Sequence, residues 1–354
     1  MEIVITIVAF LVVIIVLILA HELGHFITAK ASGVGVIEFG LGFPPRLVGI
    51  KWGETIYSLN WIPLGGFVKL AGEEDPSVPG SLAGKSIKTR LLVLTAGSLM
   101  NLLLPILLFS VAFMVPHHIA DGQVVVEEVA PASPAAKAGF RPGDTVTEIN
   151  GKLVNNTSDL TRSIQLNLGK EMTFSVQHSD GTREDILVTP RWKPPKGDGA
   201  VGIAVMTTNA TLIRERYPFW RAIPLGMNEC IETFVLFKNG IVSMIIGTAP
   251  VEVAGPVGIA QLTGEVAKAG ISPLLEFAAF LSINLGIINI FPLPAFDGGR
   301  IAFVLLEWIR RGKRIPARTE GMIHLIGFAL LMVFFIAITY QDILRIISGE
   351  SLVP

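Results

Sequence analysis

Charge is scarce in this chain: 16% of its 354 residues are Asp, Glu, Lys or Arg, and the formal net charge is -1. A nucleic-acid partner, which needs a basic face to displace counterions, is not indicated. Cysteine is almost missing. The single Cys230 excludes an intrachain disulfide and leaves no thiolate cluster to take a metal. No Lys or Arg precedes Lys30, so the apolar stretch that opens the chain lacks the basic flank of a secretory signal, and a cut after Ala20 would fall directly before His21. It reads as a retained first span. Histidine is rare too, six in all, so two of them close together are informative.

What is abundant is apolar surface. Hydrophobic residues make up 51% of the chain and the mean hydropathy is +0.61, values that point to a polytopic membrane protein with a water-soluble part. Residues 3–20 carry no charge and lead into His21-Glu22-Leu23-Gly24-His25. On a helix His21 and His25 share one face a turn apart, so both imidazoles can reach one cation, and Glu22 beside them can take a proton from water. Two His and a Glu could also be ordinary polar residues at the interfacial end of a span. Ionisable groups inside a span are costly, which favours the metal reading. The pattern still needs a third ligand.

Lys30 ends the first span and sets that end in the cytoplasm by the positive-inside rule. Residues 31–90 do not read as a span, and 36–70 read as a cytoplasmic-side β region: residues 54–61 alternate polar and apolar side chains, and Gly65-Gly66 precedes a short strand-like run, 67–70. A β-hairpin or small sheet near the motif is expected, able to pair with an extended peptide by strand addition. A loop merely covering the site is the plainer alternative. Residues 91–116 form the second expected span, with Pro105 as a kink and Asn101 as a hydrogen-bonding residue between helices rather than a catalytic one.

Residues 117–206 change character, with charges, turn dipeptides and alternating strands at 123–129, 144–149 and 172–176. The run Pro131-Ala132-Ser133-Pro134-Ala135-Ala136-Lys137-Ala138-Gly139-Phe140-Arg141-Pro142-Gly143-Asp144, with Ile149-Asn150-Gly151 after it, resembles a PDZ domain of the bacterial protease type. Such domains bind peptides by strand addition. No Gly-Leu-Gly-Phe carboxylate loop is present, which argues against capture of a free C-terminus.

Residues 217–246 read as an amphipathic helix lying on the outer membrane surface. Residues 274–291 form the third span and run into Pro292-Leu293-Pro294-Ala295-Phe296-Asp297-Gly298-Gly299. Irregular backbone and a carboxylate at the edge of a span are tolerated where they line a cavity. Asp297 could be a turn residue before Gly298. With His21 and His25 it is the natural third ligand, since two imidazoles and one carboxylate leave a fourth tetrahedral position open for water. Arg310, Arg311, Lys313, Arg314 and Arg318 mark a second cytoplasmic loop, and residues 322–340 are the fourth span. Both candidate ligand sets then lie toward the cytoplasmic side.

The expected architecture is a polytopic α-helical membrane protein of about four transmembrane helices, with an inserted α+β PDZ-like domain and a small membrane-associated β-hairpin or sheet. Residues 1–116 and 207–354 form its two membrane parts, and residues 117–206 the extracytoplasmic insert.

The motif His21-Glu22-Leu23-Gly24-His25, Pro63-Leu64-Gly65-Gly66-Phe67-Val68-Lys69, the PDZ-like insert and Asn289-Ile290-Phe291-Pro292-Leu293-Pro294-Ala295-Phe296-Asp297-Gly298 together resemble the site-2 protease family of intramembrane zinc metalloproteases. Within it the resemblance is to the bacterial RIP metalloproteases that cleave membrane-bound anti-sigma factors. It implies zinc held by His21, His25 and Asp297, Glu22 as general base, and Asn289 in binding or unwinding a transmembrane substrate, in a multi-pass protein of the inner membrane. The chain has one PDZ copy where some relatives have two, Phe296 where Leu is usual, and Ser98 where many relatives have Pro. Two other readings stand beside it, a non-catalytic PDZ scaffold and a metal transporter. The latter predicts a polar path through the spans and internal repeats, neither of which is visible.

Overall fold

The computed structural model describes residues 2–249 and 254–348. In chain order its elements are α1 (Glu2–Ala31), β1 (Val36–Trp52), β2 (Thr55–Leu70), α2 (Ile87–Met114), β3 (His117–Val129), α3 (Pro134–Ala138), β4 (Thr145–Ile149), β5 (Lys152–Leu153), α4 (Thr157–Leu166), β6 (Met172–Gln177), β7 (Arg183–Val188), β8 (Ile203–Glu215), α5 (Phe219–Ile245), α6 (Pro256–Ala269), α7 (Ile271–Ile290), α8 (Asp297–Ile309) and α9 (Ala317–Ser348). They divide into two compact units, Met1–Ala112 with Val253–Pro354, and Phe113–Glu252.

Four helices of the first unit, α1, α2, α7 and α9, are long and apolar enough to cross a membrane. α1 is rich in Ile and Val, poor helix formers in water, but in hydrocarbon the backbone has no other way to satisfy its own N–H and C=O groups. Its 30 residues reach about 45 Å, against a hydrocarbon core of about 30 Å. α2 begins at Ile87, earlier than the sequence pattern indicates, because Ser86 Oγ accepts the Thr89 N–H and opens the helix.

β1 and β2 form a two-stranded sheet. The expected small sheet is present, with residues 55–61 and 67–70 both on one strand, β2, and both paired with β1, Gly40 lying opposite Ser58 and Phe67. Phe26 on α1 holds this sheet through edge contacts with Phe39 (5.4 Å) and Tyr57 (6.0 Å). Beneath it, Ala29, Val34, Val36, Leu70, Val93 and Val304 share a buried cluster joining α1, the sheet, α2 and α8. Alongside, Arg90 reaches Glu307 at 2.6 Å and Arg314 reaches it at 3.1 Å. Burial alone would raise the Glu307 carboxyl, but these two guanidinium groups hold it below the usual carboxylate range.

The stretch after Gly255, which shows no helical pattern, is helical from Pro256. Proline at the first helical position costs no hydrogen bond. Asp342 on α9 accepts the Gly258 N–H at 2.8 Å and supplies the cap that Gly255 lacks.

In the second unit a six-stranded sheet runs β7-β6-β4-β3-β8, with β5 on β4. Val124, Val126, Val146, Ile149, Met172, Phe174 and Val176 are fully buried at its centre. The domain extends past residue 206: β8 continues to Glu215 as the partner of β3, where His117 lies opposite Glu215. α5 belongs to this unit as well. Arg162 bonds Glu229 (2.6 Å) and Glu232 (3.2 Å), and Asn239 donates to the Gln165 carbonyl (2.7 Å).

Candidate metal centre

The face of α1 that carries His21 and His25 packs on α2 at close range. A Cβ placed on Gly24 would collide with the Ala96 carbonyl, and one on Gly97 would fall on both imidazoles. Only glycine lets the helices approach so nearly. The third group comes from the opposite end of the unit: α7 stops at Ile290, residues 291–296 are irregular, and Asp297 is the first residue of α8. By itself Asp297 reads as a turn residue. In the structure it opens a helix, and its carboxylate meets the histidines.

His21 Nε2 and His25 Nε2 each lie 3.1 Å from Asp297 Oδ2, and the two nitrogens are 3.2 Å apart. The three side chains expose 12%, 10% and 18% of their surface. Tetrahedral zinc with ligands at about 2.0–2.1 Å sets neighbouring donor atoms about 3.3 Å apart, which this arrangement matches. The His25 tautomer agrees. His25 Nδ1 lies 2.8 Å from the buried Val93 carbonyl, which can only accept, so in the neutral ring Nε2 holds a lone pair directed at the other two groups. Among the described residues, these three are the one His, Cys, Asp and Glu group gathered closely enough to hold a metal ion.

A cavity of about 530 Å³ opens on this centre. Glu22 lines it beside the histidines. Residues 66–70 of β2 form one wall, and Phe296, Arg300 and His324 contribute to another. Asn289 is buried in the last turn of α7 but is not among the residues lining the cavity.

Two supports of this candidate site leave little trace in the sequence, the Val93 carbonyl and His324. A backbone acceptor leaves no mark in a sequence, while the rarity of histidine could have singled out His324. Its Nδ1 accepts the Ala295 N–H at 3.1 Å.

The model of Peptidase family M50 matches residues 9–334. A relative from Clostridium acetobutylicum is 35% identical over 332 residues, spanning 93% of this chain and 94% of its own. The zinc metalloprotease RasP of Geobacillus kaustophilus is 29% identical over 421 residues, 96% of this chain and 97% of that one. The regulator of sigma-W protease RasP of Bacillus subtilis is 27% identical over 427 residues, 96% and 99%. Among solved structures, a PDZ domain from Listeria monocytogenes is 26% identical and covers 24% of this chain and 87% of its own, with a TM-score of 0.21. With its paired motifs, its four candidate spans and a family match over nearly its whole length, the chain belongs to peptidase family M50, the site-2 proteases, and is an intramembrane zinc metalloprotease.

Proposed function

We propose that His21, His25 and Asp297 hold the catalytic zinc, that Glu22 is the general base, and that the substrate is a transmembrane protein segment presented as an extended strand. The observation that carries this reading is the convergence of three donor atoms within 3.1–3.2 Å on a cavity that Glu22 also lines.

Bound at this set, zinc supplies Lewis-acid activation of water and of the scissile carbonyl. Glu22, next in sequence to one ligand and facing the same cavity, takes the proton from the attacking water and returns it to the leaving amine. A substrate in a helix hides its carbonyls in its own hydrogen bonds, so it must unwind. Residues 66–70 pair with 36–41 on one side and line the cavity. A strand laid along them exchanges helical hydrogen bonds for sheet bonds. Asn289 supports unwinding from the end of α7, next to the irregular 291–296 segment.

The basic residues Lys30, Arg310, Arg311, Lys313, Arg314 and Arg318 favour an inner-membrane topology with the site toward the cytoplasm and residues 117–206 outside. The PDZ-like insert then meets extracytoplasmic peptide segments, and α5 with its exposed Trp220, Ile223, Met227 and Ile231 lies against lipid. Single-span anti-sigma factors and remnant signal peptides are substrates of this form. Purified protein carrying Glu22→Gln tests the assignment: cleavage of a single-span substrate is lost with zinc retained, whereas cleavage at the wild-type rate removes Glu22 from the mechanism.

A further inference from the structure

Each metal-facing imidazole has an outer nitrogen, and both outer nitrogens face α2. That of His25 is held by the Val93 carbonyl. That of His21 faces Asn101, whose Nδ2 lies 3.4 Å from His21 Nδ1. Asn101 is fully buried, and among the described residues its Oδ1 has no hydrogen-bond partner. An amide nitrogen aimed at Nδ1 requires a lone pair there, which moves the ring proton to Nε2, the atom that must be bare to bind a metal. The same orientation strands a buried carbonyl oxygen. Turning the amide by half a turn exchanges its two nearly isosteric ends and resolves both faults: Oδ1 accepts from Nδ1–H, and the Nε2 lone pair points at Asp297 and His25.

We propose that Asn101 is a positioning residue for the zinc ligand His21, accepting a hydrogen bond from its Nδ1–H through Oδ1 and thereby fixing the tautomer that binds metal. This rests on the assignment of His21, His25 and Asp297 as ligands. It gives Asn101 a role beyond a link between helices, since its backbone carbonyl already makes that link by accepting from Ser282 Oγ at 2.8 Å. Acceptors behind metal-bound histidines fix ring orientation and raise ligand basicity, and their loss typically costs 10–100-fold in metal affinity.

The test uses the full chain in detergent on a Glu22→Gln background, which prevents self-cleavage, and measures zinc affinity by chelator competition and the visible spectrum of the cobalt-substituted protein. Asn101→Leu removes the acceptor, and zinc binding is expected to weaken about 10–100-fold with an altered cobalt spectrum. Asn101→Asp keeps an acceptor and loses the donor, so it retains at least the parent affinity and the parent spectrum. Equal weakening in Asp and Leu would overturn the proposal, as would parent affinity in Leu. Should the Leu variant not fold, the Asp variant decides alone, a tenfold weakening there counting against us. If zinc binding in the parent is indifferent to His21→Ala, the ligand assignment fails instead, a result distinct from either outcome at Asn101.

Discussion

His324 Nδ1 accepts the backbone N–H of Ala295 at 3.1 Å, and so a residue of the last span holds the loop that delivers Asp297. Ala295 has φ of 77°, a left-handed conformation that an L-alanine adopts at a cost of about 1 kcal/mol. The bond from α9 offsets that cost. We expect His324→Ala to lower zinc affinity and cleavage by roughly three- to tenfold, the worth of one hydrogen bond of about 1 kcal/mol, with the fold retained. An unchanged zinc affinity would mean that the loop holds itself.

Gly97 offers a sharper steric case. Gly97→Ala sets a methyl on His21 and His25, and neither ring can move without leaving its hydrogen-bond partner on α2. Zinc content after purification is expected to fall well below that of the wild type, although alanine is the better helix former by about 1 kcal/mol. A helix gain without metal loss, read by unfolding and metal analysis, would contradict the close approach of α1 and α2.

Ligand removal should be ordered by chemistry. His21→Ala and His25→Ala leave two donors and are expected to copurify without zinc. Asp297→Asn keeps an oxygen but loses the negative charge, which weakens binding less completely. Chelation of the wild type should abolish cleavage, and added zinc should restore it. Restoration in His25→Ala would deny that residue its role.

The PDZ-like unit carries its own pH dependence. His178 Nδ1 lies 2.7 Å from Asp144, which is 1% exposed, and Nε2 lies 3.2 Å from Glu184. The hydrogen bond to Asp144, then that to Glu184, raises the imidazole above its ordinary value of 6.5. A raised basic group stabilises the fold fully below its unfolded value of about 6.5, and this contribution fades as the pH climbs through the higher folded value. Unfolding of this unit should therefore become easier from neutral toward mildly alkaline pH. His178→Gln should flatten that slope, and an unchanged slope would assign it elsewhere.

The spans and the candidate site were legible for one physical reason: polar residues in hydrocarbon are costly, so His21, Glu22, His25 and Asp297 stood out against their surroundings. Less legible was whatever depends on the partner of a segment. The run 67–70 was legible as a strand, but its partner β1 was not, because Gly40, Gly42, Pro44 and Pro45 blur the alternation there. The insert's end at residue 206 fell short because the later part of β8 alternates little, and only its pairing with β3 keeps it a strand. Asn101 was legible as a hydrogen-bonding residue, but that it meets His21 appears only when α1 and α2 are packed.

The most direct measurement is cleavage of a single-span model substrate by the purified full-length protein in detergent, wild type against Glu22→Gln, with bound zinc measured on both. About one zinc is expected in each, with a loss of cleavage of at least about 10²-fold in the variant. Cleavage surviving in Glu22→Gln, or zinc absent from an active wild type, would contradict this mechanism.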